Sequence, residues 1–483
     1  MKTKQAFNPY LPSYEYVPDA EPHIVGDRIY IYGSHDLFNG LNFCLGDYVC
    51  WSAPVDDLSS WRYEGCIYKR EQDPAAPRIR LTNGLAAPDM VQGPDGKYYL
   101  YYFMGGTKMI SVAVCEEPAG KYEFYGYVKY EDDVPVGKKN EPFQFDPGIF
   151  MDDNGRLYMY TGFALAGNPI LLDGSKPTEH GPMCFELDPS DMLTVKKGPV
   201  YIGIAGEKEA PGTPYEGHPF LEASSMRKFN GTYYFIYSSL NSHELCYAYS
   251  DNPVSGFAYG GILVSNGDIG MPGVTDVDHA KNYTGNTHGS LIEINGEYYI
   301  FYHRHSNRKQ SSRQACAEKI CFEDGKFYQA ELTSCGLNGK PLAGKGHYPS
   351  YIACNLYGRK GTRFLSMIKH PKKGYPYFTQ DGKDRESGED QYIANMDDGA
   401  VAGFKYFDLT QTSKIRINIK GNASGNVYIR TAEGQQPAAK IEVKPTKEVH
   451  GFGSELKAPG EKQALFFKFE GKGSFDFISF DLV

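Results

Sequence analysis

A glycine followed by an alternating aromatic run occurs five times along this chain of 483 residues. The copies are GDRIYIYGSHD from Gly26, GKYYLYYF from Gly96, GRLYMYTGF from Gly155, GTYYFIYSS from Gly231 and GEYYIFYHRH from Gly296. Each copy predicts a tight turn that leads into a β-strand. The glycines lie 70, 59, 76 and 65 residues apart, which leaves room for about four short strands per unit. Such units predict a five-bladed β-propeller, in which the innermost strands converge on a central channel.

A second region of short alternating segments follows the repeats. The run DGKFYQAEL around Gly325 predicts a last outer strand, and residues 339–361 are rich in Gly, Pro and Lys, which indicates a connector. Beyond it, alternating runs such as KIRINIKG, GNVYIRTA and FDFISFDLV predict a jelly-roll-like β-sandwich. The sequence therefore predicts an all-β protein, with a propeller over residues 1–345 and a linker and β-sandwich over residues 346–483.

Composition excludes several classes of partner. The formal net charge of -9 argues against nucleic acid, because a nucleic-acid-binding surface needs a basic stripe. No run reaches the roughly 18 apolar residues of a membrane span, so no membrane partner is expected. Ten cysteines without a CxxC pair, behind a start that has no apolar leader, predict reduced thiols and a cytoplasmic location. Nothing in the sequence predicts an oligomeric state.

Three acidic residues lie where the blade strands would turn inward. Asp19 lies just before the first repeat strand, while Asp146 and Glu222 each lie nine residues ahead of a repeat glycine. Asp89 lies seven residues ahead of its own repeat glycine, and we expect it to be structural or part of the pocket wall. Any one of these acids could instead cap backbone N–H groups in a turn. Three acids in corresponding places favour a functional site, because perturbed acids cluster at such sites.

Carboxylates that face one another across a pocket suit the cleavage of glycosides. One carboxyl group, kept protonated, gives a proton to the leaving oxygen, and the other activates water or attacks the sugar. A third acid nearby can raise the pKa of the proton donor by like-charge repulsion.

The residues around these acids resemble glycoside hydrolase family 43. The segments PDAEPH with Asp19, FDPGIF with Asp146 and LEASSMRK with Glu222 match the family's motif regions in order, and residues 286–305 resemble its last blade. The resemblance covers about residues 8–355. It implies a five-bladed propeller and an inverting mechanism, with Asp19 as general base, Glu222 as general acid and Asp146 as the modulator of the acid's pKa. Inversion in turn predicts a separation of about 6.5–9.5 Å between the carboxyl groups of base and acid.

Further residues are candidates to bind substrate or metal. The resemblance implies that Arg304 hydrogen-bonds the sugar and that His288 faces a calcium ion through waters; a hydrogen-bonded core histidine is the alternative. His35 and Asp36 end the first repeat strand and are candidates to line the mouth of the channel, or to lie in a solvated loop. Phe145 is a candidate for stacking on the sugar, with core packing as the alternative.

Two features bear on the substrate. Family members commonly carry an aromatic residue where this chain has Ala86, so the pocket wall is smaller here and the choice of sugar is left open. The tail is similar to carbohydrate-binding module family 6, but it contains no Trp. We therefore expect the sandwich to pack against the propeller or to close the pocket, since an interdomain contact is the default arrangement.

The sequence as a whole predicts an exo-acting, inverting glycoside hydrolase. It would release terminal β-D-xylose or α-L-arabinofuranose from plant-polysaccharide-derived oligosaccharides, with no cofactor needed for the chemistry and with Ca²⁺ in a structural or activating role. The alternatives are a galactose- or galactofuranose-releasing hydrolase of the same fold and a non-catalytic sugar-binding propeller. A retaining fructan-cleaving enzyme ranks low, because those proteins usually begin with an NDPNG-like motif that PDAEPH lacks.

Overall fold

The computed structural model describes residues 5–77, 84–165, 175–384 and 391–483. Regular structure in these ranges is almost entirely β-strand. The short 3₁₀ helices are Arg70–Gln72, Gly336–Asn338 and Ser350–Ile352. Across the described residues, no helix is both long and apolar enough to cross a membrane.

The first twenty strands of the described chain form five four-stranded antiparallel sheets, one after another in sequence. This arrangement confirms the predicted five-bladed β-propeller. Blade one contains β1 (Glu21–Val25), β2 (Arg28–Tyr32), β3 (Tyr48–Pro54) and β4 (Arg62–Tyr68), and blade two contains β5 (Leu85–Gln92), β6 (Tyr98–Met104), β7 (Ile110–Cys115) and β8 (Glu123–Tyr127). Blade three contains β9 (Gly148–Met151), β10 (Leu157–Thr161), β11 (Met183–Leu187) and β12 (Val195–Tyr201), and blade four contains β13 (Phe220–Phe229), β14 (Thr232–Ser239), β15 (Glu244–Ser250) and β16 (Ala258–Ser265). Blade five contains β17 (Leu291–Ile294), β18 (Glu297–His305), β19 (Arg313–Glu323) and β20 (Lys326–Tyr328).

The repeat glycines close the first hairpin of each blade. All five have φ between 62° and 86°, the left-handed region that glycine reaches without steric cost. The aromatic run after each glycine is the second strand of its blade, and this strand is largely buried. Its rings fill the space between neighbouring blades, as where Phe103 of blade two joins one apolar cluster with Phe185 of blade three.

The innermost strands β1, β5, β9, β13 and β17 lie around the channel, where successive ones are neighbours. A parallel bridge between Ala20 and Gly289 closes the ring between blades one and five. The N-terminal segment strengthens this closure, because the Asn8 side chain donates to the carbonyl of Ala317 at 2.9 Å and accepts from its N–H at 3.0 Å. The start of the chain is thereby attached to β19.

The remaining twelve strands of the described chain form two six-stranded sheets packed as a sandwich. One sheet has the order β21-β26-β31-β28-β29 with β23 on β26, and the other has the order β24-β25-β32-β27-β30 with β22 on β32. The strands are β21 (Leu342–Ala343), β22 (Gly346–Pro349), β23 (Asn355–Tyr357), β24 (Tyr377–Thr379), β25 (Tyr392–Met396), β26 (Val401–Asp408), β27 (Lys414–Gly421), β28 (Ser424–Arg430), β29 (Ala439–Val443), β30 (Thr446–Glu455), β31 (Gln463–Lys472) and β32 (Phe475–Leu482).

The sandwich begins slightly before the predicted boundary at residue 346. Strand β21 already pairs in parallel with β26, with Leu342 opposite Phe407. Among the sandwich strands of eight residues or more, β30 alone has no counterpart among the alternating runs of the sequence. Its residues are mostly exposed or half-buried, so its sequence lacks the apolar face by which a strand is recognised.

Candidate active site

The predicted acids lie where the innermost strands of blades one, three and four begin. Asp19 lies two residues before β1, Asp146 two residues before β9, and Glu222 is the third residue of β13. A non-glycine residue with positive φ stands at each place: Asp19 at 57°, Asp146 at 48° and Ala223 at 67°. The pairing register shifts on both sides of Glu222. Such irregularities change the direction of a side chain and recur beside functional sites.

The three carboxyl groups share one electrostatic environment. Burial, followed by the negative charges of Asp146 and Asp19, raises the pKa of Glu222 to about 8. Burial also raises the pKa of Asp146, although the nearby His288 opposes the shift. Glu222 is therefore a carboxylic acid at neutral pH and can donate a proton. The separation expected for inversion stays a prediction.

Asp19 is held by a buried arginine from blade five. Nη1 of Arg313 donates to Oδ1 of Asp19 at 2.8 Å, while its Nε and Nη2 donate to the carboxylate of Asp36 at 2.8 and 3.0 Å. Although burial disfavours its charge, the carboxylates of Asp19 and Asp36 raise the pKa of Arg313 well above its usual range. Oδ2 of Asp19 accepts no hydrogen bond from the described residues, which leaves it available to a water molecule.

A neutral histidine, His303, accepts a hydrogen bond from the backbone of Asp19. Nδ1 of His303 accepts from the backbone N–H of Asp19 at 3.4 Å, and its Nε2 donates to the carbonyl of Asn286 at 2.9 Å. Burial, then the charge of Arg313, holds the pKa of His303 well below its usual range. The ring therefore keeps one acceptor and one donor nitrogen, as these two partners require.

His288 lies between two carboxylates in the channel. Its Nδ1 is 3.5 Å from Oδ2 of Asp146, and its Nε2 is 3.6 Å from Oε1 of Glu21. Although burial alone would lower it, these carboxylates raise the pKa of His288 well above its usual range. The other oxygen of Glu21 accepts from Arg227 at 2.5 Å. His288 is thus an imidazolium that helps to balance the buried acids.

Few protein oxygens beside His288 are available to a calcium ion. Calcium takes about six to eight oxygen ligands. Oε1 of Glu21 is a buried oxygen without a hydrogen-bond partner among the described residues, and it is the one such carboxylate oxygen beside His288. Most ligands of an ion there would therefore be waters, and the water-mediated calcium contact of His288 stays a prediction.

Asp89 has the contacts of a structural residue. Its Oδ1 lies 2.7 Å from Nε2 of His23 in blade one, and its Oδ2 accepts from the N–H of Ile149 in blade three at 2.8 Å. Although burial opposes this, the hydrogen bond and charge of His23 lower the pKa of Asp89. Asp89 thereby joins three blades just outside the three-acid site.

His35 and Asp36 are both buried in the loop that follows β2. Asp36 is buried and binds Arg313, as described above. Nε2 of His35 lies 3.0 Å from Oε1 of Glu15, and its Nδ1 lies 2.9 Å from the carbonyl of Asp47. Oε2 of Glu15 accepts in turn from Nε1 of Trp51 at 2.9 Å. Both residues therefore support the loop after β2. Their burial contradicts the solvated-loop alternative, and a role in lining the mouth stays a prediction.

Phe145 is half-buried and adjacent to Asp146. Its ring packs edge-on against Phe103 at 4.9 Å and Phe163 at 5.4 Å, measured between ring centroids. Phe103 lies opposite Ala86 in the sheet. Phe145 thus packs in an aromatic cluster next to Ala86, and stacking of its ring on the sugar stays a prediction.

Arg304 contacts the sandwich, not the acids. Its Nη1 donates to the carbonyl of Ala353 at 3.1 Å, its Nη2 donates to Gln391 at 3.3 Å, and its guanidinium lies 3.8 Å from the ring centre of Phe378. These contacts give no support to the predicted role of Arg304 in sugar binding. Arg313 is the arginine that reaches Asp19, and it was not among the residues predicted from the sequence. The sequence feature that could have indicated it is a charged residue at the start of the otherwise uncharged run RQACA, the first five residues of β19, all of them buried.

Comparison with known proteins assigns the chain to a family. The model of "Glycosyl hydrolases family 43" matches residues 13–327. A "Xylosidase/arabinosidase" of Thermoclostridium stercorarium is 48% identical over 482 residues, which is 99% of each chain.

Two solved structures are similar in fold. A family 43 β-xylosidase/α-arabinofuranosidase from a compost microbial metagenome, solved with xylotriose in a calcium-free form, has a TM-score of 0.51 at 27% identity, over 66% of this chain and 96% of its own. A family 43 arabinoxylan arabinofuranohydrolase from Bacillus subtilis, solved with cellotetraose, has a TM-score of 0.50 at 18% identity, over 99% and 97%. The match of the family model to residues 13–327, about two thirds of the chain, shows that this chain belongs to glycosyl hydrolase family 43.

Proposed function

We propose that this protein is an exo-acting, inverting hydrolase that removes terminal β-D-xylose or α-L-arabinofuranose from short plant-derived oligosaccharides. One observation carries the proposal: Glu222 is kept protonated at neutral pH by burial and by Asp146, beside an Asp19 that is paired with Arg313. A proton donor and a carboxylate in one pocket are what inversion requires. The name of the full-length relative supports pentose as the released sugar.

The residues divide the reaction between two faces of the sugar. Glu222 gives its proton to the glycosidic oxygen as the bond to the anomeric carbon breaks. Oδ2 of Asp19 takes a proton from a water molecule, whose oxygen bonds to the anomeric carbon from the opposite face. Glu222 ends as a carboxylate and Asp19 as an acid, and exchange with solvent restores both. Asp146 raises the pKa of the donor, and Arg313 holds the base.

The sandwich is proposed to bound the mouth of the pocket and not to bind polysaccharide. The hydroxyl of Tyr16, three residues before the proposed base, donates to Gln380 of the sandwich at 2.6 Å. The side chain of Gln391 donates to the same hydroxyl at 3.2 Å. A second domain so close to the site limits the room beyond the terminal sugar, which supports release of single units from chain ends.

Calcium and location are further parts of the proposal. We propose that calcium is not needed for the chemistry and that a hydrated ion near His288 adjusts the charge of the channel. We propose a cytoplasmic location, supported by ten unpaired cysteines, most of them buried. Fractionation of the source cells with an antibody tests this, and enzyme found mainly outside the cytoplasm contradicts it.

One experiment tests stereochemistry and substrate together. Proton NMR of the first-formed sugar is recorded with xylo- and arabino-oligosaccharides, alongside a panel of nitrophenyl glycosides. We expect the anomer opposite to that of the substrate, and hydrolysis of pentosides. Retention of configuration would reject Asp19 as a general base. Hydrolysis of galactosides or galactofuranosides without pentosides would replace the substrate, and no hydrolysis at all would favour a sugar-binding propeller.

A further inference from the structure

Asn307 connects three parts of the molecule at the mouth of the propeller. It lies in the loop between β18 and β19 and is buried. Its backbone N–H donates to the carbonyl of Phe378 in the sandwich at 2.9 Å. Its side-chain Nδ2 donates to the carbonyl of Phe38 in blade one at 2.6 Å, and its Oδ1 accepts from Nζ of Lys369 in the sandwich at 2.9 Å.

The segment that Asn307 holds in blade one carries the partners of Arg313. Residues 33–47, between β2 and β3, contain no strand, so their position depends on contacts from outside. Asp36 in this loop binds Arg313 through two nitrogens, and the ring of Phe43 lies 4.8 Å from the guanidinium. Arg313 in turn donates to Asp19. The contacts thus form a continuous path from the sandwich to the proposed base.

The sandwich also contacts this loop directly. Nζ of Lys369 donates to Oδ1 of Asn39 at 3.1 Å, and the N–H of Asn39 donates to Oδ1 of Asp384 at 3.2 Å. Both of these contacts are made by Asn39, which directly follows Phe38, the residue whose carbonyl accepts from Asn307. The loop is therefore held around Phe38 and Asn39 by blade five and the sandwich together. Blade five adds bonds from Ser312 Oγ to the carbonyl of Phe38 at 2.5 Å and from Lys309 Nζ to the carbonyl of Gly40.

We propose that Asn307 is a positioning residue through which the sandwich sets the orientation of Arg313 and hence of Asp19. The inference rests on the proposed function, in which Asp19 is the base. Asn307 touches no reacting atom. Displacement of a reacting group by about 1 Å can cost about 100-fold in rate, so the loss of such support is expected in kcat.

The backbone at Asn307 allows a clean side-chain deletion. Its φ is 50°, a region that glycine adopts without strain, so Asn307→Gly removes the side chain and keeps the turn. Asn307→Asp preserves the shape and can still accept from Lys369, but it cannot donate to Phe38. Asn295→Gly is the matched control. Asn295 also has a positive φ, 54°, and its Nδ2 donates from blade five to the carbonyl of Val55 in blade one at 2.9 Å, at the opposite end of the blades.

The test measures kcat, KM and thermal stability for the three variants, with aryl glycosides of good and poor leaving groups. We expect kcat of both Asn307 variants to fall by at least about tenfold. The factor should be the same for all leaving groups, because the substitution disturbs activation of water by Asp19 and leaves proton donation by Glu222 unchanged. Asn295→Gly should keep the wild-type kcat. Wild-type kcat in both Asn307 variants, or a loss matched by Asn295→Gly, overturns the proposal.

Failure of the positioning role and failure of the proposed function give different experimental results. The comparison is between variants and wild type on whichever glycoside the wild type hydrolyses, so a substrate other than a pentoside rejects the pentose assignment and leaves the Asn307 test intact. A lower melting temperature with unchanged kcat at 25 °C would show a purely structural role for Asn307 and would reject the positioning role.

Discussion

Nη1 of Arg313 donates a 2.8 Å hydrogen bond to Oδ1 of Asp19, which joins the proposed base of blade one to a strand of blade five. The bond occupies one carboxylate oxygen and leaves the other without a partner among the described residues. A base that is held by one oxygen and open at the other is oriented toward its water before the substrate arrives. The catalytic geometry therefore depends on how the first and last blades meet.

Replacement of Glu222 by Gln should remove the proton donor. We expect kcat to fall by about 10²–10⁴-fold for oligosaccharides, whose leaving groups need protonation. The loss should be much smaller for aryl glycosides with acidic phenols, since these depart without a proton. Steady-state kinetics across a series of phenols checks this, with Glu293→Gln, an exposed glutamate on β17, as the control. An equal loss for all phenols would be inconsistent with Glu222 as the acid.

The pH profile should fall on its alkaline side because of Glu222. Its pKa is about 8, raised by burial and then by Asp146, and only the protonated form donates. Activity should therefore be present below this pH and decline as the pH rises through it. Asp146→Asn removes the negative charge, so the alkaline limb should move to lower pH. Profiles of kcat/KM for both proteins test the assignment, and an unmoved limb in the variant would show that Asp146 does not modulate the acid.

Replacement of Arg313 by Lys should impair the base. A lysine has one ammonium group and cannot bind Asp19 and Asp36 together in the way the guanidinium fork does. We expect at least about a tenfold loss in kcat/KM with the positive charge retained. Kinetics with a pentoside, together with a melting curve that confirms folding, provide the measurement. Unchanged kinetics would mean that Asp19 needs no arginine.

Replacement of Arg304 by Gln should affect stability and spare sugar binding. The buried guanidinium serves Ala353, Gln391 and Phe378, so its loss leaves sandwich acceptors unpaired. Unsatisfied buried groups cost about 1–3 kcal/mol each. Urea unfolding should show this destabilisation while KM for a pentoside changes little. A large rise in KM with unchanged stability would instead restore Arg304 as a sugar ligand.

Calcium affinity should decrease at acidic pH. An ion beside His288 would have to compete with the proton that Asp146 and Glu21 hold on its ring. Isothermal titration with CaCl₂ over a series of rising pH values should show binding that strengthens as the His288 ring loses its proton, and chelator-treated enzyme should retain turnover. Loss of all activity after chelation, restored by calcium alone, would contradict the proposal that the chemistry needs no metal.

The sequence predicts most of the propeller because its signals are local. Gly26 and Gly296 each end the first strand of a blade, and an aromatic second strand follows directly, so the hairpin can be recognised within ten residues. The positions of Asp146 and Glu222 follow from the same repeat. The sequence also predicts that the pKa of Glu222 is raised, because its neighbours are apolar and acidic.

The arginine of the site could not be predicted in the same way. Arg304 and Arg313 lie on adjacent strands of one blade, and each is paired with residues far away in sequence. Whether an arginine meets Asp19 or the sandwich is decided by the closure of the ring and by the docking of the second domain. Neither leaves a periodic signal in the chain, and for the same reason the contacts of Asn307 are visible only in three dimensions.

Both tryptophans of the chain, Trp51 and Trp61, lie in blade one. Trp51 donates to Glu15, which also contacts His35 in the loop that bears Asp36. Tryptophan emission from this protein therefore originates in blade one, where Trp51 is linked through Glu15 to the loop that bears Asp36. In the unlabelled enzyme, titration with a sugar can therefore be followed by tryptophan fluorescence, and so can strain that the sandwich transmits to this loop.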